Sequence, residues 1–231
     1  MDWKLNLGNF LFKRRSFTPL PLIVLVFVIF KPVDLGRANV FINLCGFMVS
    51  WLGEFIRVIA VGCAHSGTSG RESFLKADAL NTTGIYSVVR NPLYIGNFLI
   101  FSGLVVVFAN IWAEVVVAVF LMAQYYFIIL SEEDFLRKGY GKVYEDYCGR
   151  VRRVIPVFKK YEKASNLFNL KKVIFKESDS VFNMLVMYLL VLVYKERIFS
   201  GAVRHPFSYI IPGVVFVVCY VIVKIVKKRK T

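Results

Sequence analysis

Apolar runs close to the length of a bilayer crossing recur along this chain of 231 residues, and they limit its fold more than any other feature. Backbone crossing hydrocarbon must satisfy its hydrogen bonds without water, which leaves helices or closed barrels. A helical crossing needs about 20 apolar residues. Runs at 17–31, 38–61, 93–108, 111–130, 181–194 and 207–223 approach or reach that length, so the sequence predicts an all-α, polytopic transmembrane helical bundle of about six spans. The first and fifth runs are short, which calls for local thinning, extension or a re-entrant path. A hydrophobic content of 57% excludes an ordinary soluble domain of this size.

The net charge of +15 invites a nucleic-acid partner, but Lys and Arg gather beside the apolar runs. Orientation and anionic lipid explain that placement better, so no nucleic-acid role is expected. The loops at 1–18, 63–92, 132–180 and 224–231 hold 24 of the 30 basic residues, against 5 on the other side. That asymmetry predicts both termini on the cytoplasmic side. The run after Lys13-Arg14-Arg15 lacks a small-residue cleavage site and reads as a retained span. Cys45, Cys63, Cys148 and Cys219 are dispersed without a C-x-x-C pair, so neither metal ligation nor a disulfide is expected.

The chain divides by pattern into 1–37 (an interfacial lead and first span), a core at 38–156, and 157–231 (a basic linker with two spans). Within the core, residues 84–96 crowd Gly, Pro, Tyr and charge together just before an apolar run. Gly84 permits positive φ, and Pro92 turns Asn91 away from the α region. Tyr86 and Tyr94 offer flat faces with hydroxyl tips, and Arg90 a planar five-donor fork. Such a loop suits a flat, charged ligand, or it starts the next helix. Glu54 and Arg57 lie three apart inside the second run, hence on one helical face. They form a mutual ion pair, or Arg57 lines a ligand chamber. After the hairpin at Ala109-Asn110, Ser131 is a candidate cap for an amphipathic helix carrying Leu136, Tyr140, Tyr144 and Tyr147, stopped near Pro156.

Residues 84–96 resemble the G-x-Y-x-x-x-R-H-P-x-Y-x-G signature of the small integral-membrane methyltransferases, which act on isoprenylcysteine carboxyls, phospholipid amines or bacterial lipids. The family's second block is similar to Glu132-Glu133, Leu136, Tyr140-Gly141, Tyr144, Tyr147, Val151, Arg153 and Ile155-Pro156. Asn91 departs from the usual His and Tyr140 from the usual Phe. The resemblance implies S-adenosylmethionine as cofactor, with contacts from Asp78, Ala79, Leu80, Asn81, Tyr86, Asn91, Pro92, Tyr94 and Glu132. It leaves Arg90, Arg153 and Arg57 as candidate catalytic groups toward the carboxylate end of the cofactor or the substrate's charge.

Asn91 keeps a hydrogen bond of the histidine but cannot carry its proton. Neither His65, in a loop, nor His205, on the outer side, is placed as a base. A nucleophile already anionic at neutral pH needs none, which favours O-methylation of a phosphate or carboxylate. The resemblance thus implies a lipid or lipidated substrate. A lipid headgroup such as a lipid A phosphate in a bacterial inner membrane is favoured, because 125–130 lacks the arginine with which human-type relatives contact prenylcysteine. Phospholipid N-methylation, a sterol-type reductase using NADPH and a non-catalytic interaction protein remain as alternatives. Arg204-His205-Pro206-Phe207-Ser208-Tyr209 echoes the signature without its second block and reads as a decoy. The oligomeric state stays open.

Overall fold

The computed structural model describes residues 3–15, 17–65, 67–68 and 77–229. Nine α-helices cover most of that length: α1 Trp3–Arg14, α2 Pro19–Ile29, α3 Ala38–Cys63, α4 Ile85–Val88, α5 Pro92–Val106, α6 Ile111–Tyr140, α7 Lys142–Arg150, α8 Leu170–Ser200 and α9 Phe207–Lys228. A 3-10 turn lies at Phe158–Lys160. The only bridge among the described residues joins Gly84 to Glu162. The helical bundle expected from the apolar runs is the observed fold.

Three helices, α3, α6 and α9, are long and apolar enough to cross a membrane. At 15 residues, α5 is apolar but shorter, and the 11 residues of α2 rise only about 16 Å. Two expectations need correction. Ser131 does not start a new helix: α6 runs unbroken through it to Tyr140, and the break comes at Gly141, whose φ of 51° suits glycine. The fifth apolar run is not an isolated short span either. It is the middle of a 31-residue helix that starts at Leu170, inside the segment read as linker. Asn169 caps that helix by accepting from the Lys172 amide.

The most extensive pairing is α3 against α5. It rests on glycines spaced seven apart on both helices, Gly46 and Gly53 facing Gly103 and Gly96 in antiparallel register. A Cβ on Gly53 would sit 2.5 Å from the Gly96 carbonyl oxygen, so the backbones touch directly. Midway along the seam Ser50 donates to the Ile100 carbonyl at 3.0 Å. The apolar core gathers between α2, α5, α6 and α8 around Val26, Leu104, Phe108, Leu121 and Val191. A second small core, Tyr144, Tyr147 and Val151 with Leu80 and Leu136, lies under α7. By contrast no residue of α9 is buried.

The two groups of loops fall at opposite ends. At one end Val33 donates to the Phe108 carbonyl, Asn110 to that of Lys31, and Lys195 to that of Val107. At the other end the two sequence blocks interlace. Gly84 donates to Glu162, Arg90 to the Arg152 carbonyl and Val157 to the Val88 carbonyl.

Candidate active site

Gly84 holds φ 64°, ψ −134°, a region closed to side chains with a Cβ, and it launches the single turn of α4. Tyr147 then donates to the Tyr86 carbonyl at 2.7 Å, fastening that turn to α7. Pro92 is the first residue of α5, so the Asn-Pro step does begin a helix, and Tyr94 is thereby carried into its first turn. The Asn91 side chain donates to the Arg153 carbonyl at 3.1 Å. In this chain the amide at the usual histidine position ties the two blocks together.

Glu132 and Glu133 are neighbours on α6 and therefore point about 100° apart around it. Their fates differ accordingly. Glu132 accepts the Tyr94 hydroxyl at 2.8 Å. Glu133, buried, accepts Arg153 through both oxygens at 3.0 and 2.5 Å and Arg90 at 2.9 Å. Arg90 also donates to the Cys148 carbonyl at 3.1 Å. Arg90 and Arg153 are thus engaged in a three-member clasp, and Glu133 has no oxygen turned toward Tyr94.

On the other side of Tyr94, its ring meets that of Tyr125 with centroids 5.1 Å apart. The Tyr86 phenol lies within electrostatic reach of Glu132, Arg57 and Glu177. Burial, reinforced by the Glu132 carboxylate, pushes it well above the usual phenol range, so it stays protonated. Arg15, at the end of α1, is close enough to act on Glu132 and Tyr94. Arg57 passes across Gly96, where an added Cβ would lie 2.5 Å from its Cγ. The last glycine of the first block therefore makes room for Arg57. The sequence reading placed this glycine at the end of the signature but gave it no packing role, although the seven-residue spacing on both helices was a legible sign.

The expected Glu54–Arg57 pair is only a long contact of 3.9 Å. Arg57 instead donates to Glu177 of α8 from Nε at 3.0 Å and Nη2 at 2.6 Å, and to Asn97 from Nη1. Glu54 accepts from Ser180 of α8 at 2.8 Å. Sequence reasoning missed Glu177 and Ser180 because they stand 120 or more residues away, in a stretch that reads as basic linker.

Around Asp78, Ala79, Leu80 and Asn81 the contacts run to His65, Thr68 and the core under α7. Asn81 accepts from the His65 amide at 2.8 Å, meets its ring at 2.9 Å and donates to Thr68 at 2.8 Å. His65 is therefore held rather than loose, as Lys172 also donates to its carbonyl at 3.4 Å. Leu80 joins the core under α7, the Ala77 carbonyl accepts from Tyr140 at 2.8 Å, and Asp78 abuts Gly67. The loop residues Ser66, Ser69, Gly70 and Arg71, and Phe74 to Lys76 leading into the signature, lie outside the described residues. The echo at 204–209 starts α9 beside Glu196, whose carboxylate accepts from the Arg204 amide at 3.0 Å.

This cluster joins a carboxylate to aromatic rings. Such a combination suits organic cations, the carboxylate by charge and the rings by their negative faces. Fold and site together define a helical membrane protein with a carboxylate–aromatic cluster at one end of the bundle. The family model for phospholipid methyltransferases matches residues 42–143, from α3 into α7. Over that stretch, less than half of the chain, the protein is similar to that family of membrane methyltransferases. Two rice proteins, each called a probable protein-S-isoprenylcysteine O-methyltransferase, from Oryza sativa subspecies indica and japonica, are 32% identical over 119 residues. The alignment covers 50% of this chain and 62% of each rice protein, so the chain matches less than two thirds of their length. No solved structure matches the chain.

Proposed function

We propose that the chain is an S-adenosylmethionine-dependent methyltransferase that O-methylates an oxyanion on a lipid or lipidated substrate. The observation that carries this reading is the Tyr94–Glu132 hydrogen bond. It unites the two blocks within electrostatic reach of Tyr86, which in turn is near Arg57. The residues suit the donor: Glu132 is placed for its ammonium, while Tyr86, Tyr94 and Tyr125 offer faces to its sulfonium and adenine. When bound, the donor supplies an activated methyl group to a nucleophile in line with the carbon–sulfur bond.

The protein's part is alignment and exclusion of water, since no base is needed for an acceptor already charged. Tyr86 and Tyr147 stay protonated and act as donors or walls, not as bases. In this reading Arg90 and Arg153 position the blocks through Glu133, and Arg57 faces the acceptor's oxyanion. A lipid phosphate, such as that of lipid A, is the favoured acceptor, because 125–130 carries no arginine. An isoprenylcysteine carboxylate is the second reading, supported by the names of the rice proteins. The loop asymmetry supports a cytoplasmic-side site in either case.

The test is transfer of labelled methyl from donor to membrane lipid, followed by lipid mass spectrometry. Glu132→Gln is expected to weaken donor binding at least tenfold, a loss of about 1.4 kcal/mol, while the protein stays folded. Unchanged donor binding in that variant would refute the assignment of Glu132.

A further inference from the structure

The C-terminal helix pair lies outside the segment similar to the methyltransferase family, yet it places a buried carboxylate against Arg57. Glu177 is 4% exposed and spends one oxygen on two N–H groups of Arg57. Asn97 of α5 takes a third. A guanidinium has five N–H donors in one plane, so holding three of them leaves two at a set position and angle. Those three bonds come from α8 and α5, and Gly96 of α5 lies directly against the Arg57 stem. A bonded fork of this kind suits a planar or tetrahedral oxyanion better than a mobile lysine would.

Resting on the proposed function, we propose that Glu177 is a positioning residue, which orients Arg57 so that its two remaining N–H donors hold the oxyanion of the methyl acceptor. Helix α8 thereby completes the site and sets its preference for an anionic acceptor. Ser180, one turn further on, donates to the Glu54 oxygen that lies 3.9 Å from Arg57 Nε, so Glu54 adds only a long contact to the fork. No proton or electron moves in this role; the acceptor oxygen forms the new bond to methyl carbon as the carbon–sulfur bond breaks, and the donor's sulfur leaves neutral.

The experiment uses the full chain in nanodiscs with two acceptor probes, dioleoyl phosphatidic acid and N-acetyl-S-farnesylcysteine, and measures KM and kcat for each with donor affinity alongside. Glu177→Gln is expected to raise the acceptor KM about tenfold, as for loss of a charge-assisted bond, with donor affinity within twofold. A residue that only supports the fold would lower the active fraction, hence kcat, and leave KM alone. Should Glu177→Gln fail to fold, Asn97→Ala loosens the other side of the fork and is expected to raise the same KM. An acceptor KM unchanged in the folded variants, or a donor affinity that falls in step with it, overturns the proposal while leaving the methyltransferase reading intact. Wild-type protein that binds no donor and methylates neither probe overturns that reading and this proposal with it.

Discussion

Helices α5 and α9 begin alike, with an arginine, one intervening residue, proline and a nearby tyrosine, yet they end in opposite surroundings. Pro92 is among the most buried side chains, and Tyr94 reaches across to Glu132. In α9 no residue is buried, and Phe207 is 71% exposed. The local start is the same because proline at the head of a helix sacrifices no hydrogen bond. What differs is the company. Asn91 and Arg90 are each bonded to the segment at 152–153, whereas the Arg204 amide and Tyr209 reach back to Glu196 of the preceding helix. Tyr209 also stands three residues after its proline where Tyr94 stands two, which turns it to another face. A short motif of this kind acquires a site only when a second segment closes on it.

The contrast can be broken most sharply at Glu133. Replacing it by Ala leaves Arg90 and Arg153 facing each other without their shared acid. Loss of one partner of a buried pair costs about 3–5 kcal/mol. A large fall in melting temperature in detergent is the expected result, and a wild-type melt would show that the clasp does not hold the blocks. Next in size is the seam under α5. Gly53→Ala drives a methyl group into the Gly96 carbonyl, and overpacking of this kind costs about 1–3 kcal/mol. Gly213→Ala in α9, whose nearest neighbour would be 3.7 Å away, is expected to melt as wild type does.

The smallest effect compares the two tyrosines. Tyr94→Phe removes one hydrogen bond, worth about 1 kcal/mol, and is expected to lower donor affinity measurably by calorimetry. Tyr209→Phe removes a hydrogen bond to Glu196 and is expected to leave donor binding unchanged. Equal effects of the two substitutions would show that the second block contributes nothing to the meaning of the first.

Much of this was readable along the chain. Apolar runs announced a helical membrane bundle because hydrocarbon leaves a backbone few choices. Gly84 and the Asn91-Pro92 step marked a turn and a helix start, since their backbone preferences are local. The spacing of Tyr140, Tyr144 and Tyr147 signalled one helical face, although α6 and α7 divide it at Gly141. The end of α6 was misplaced because Ser131 is a good cap in isolation. There its hydroxyl meets Asn9 of α1 instead, and the helix continues past it.

Other features existed only once the helices met. Which of two adjacent glutamates faces Tyr94 and which is clasped depends on the rotation of α6, and that is set by packing against α1, α5 and α7. That Arg57 pairs with Glu177 rather than Glu54 depends on α8 returning beside α3 across 120 residues. Local sequence determined where helices form and which end of the bundle carries charge, because hydropathy and backbone preference act over a few residues. Partnership among buried charges was decided by the tertiary structure, because a Coulombic or hydrogen-bonded contact depends on distance in space and carries no trace of separation along the chain.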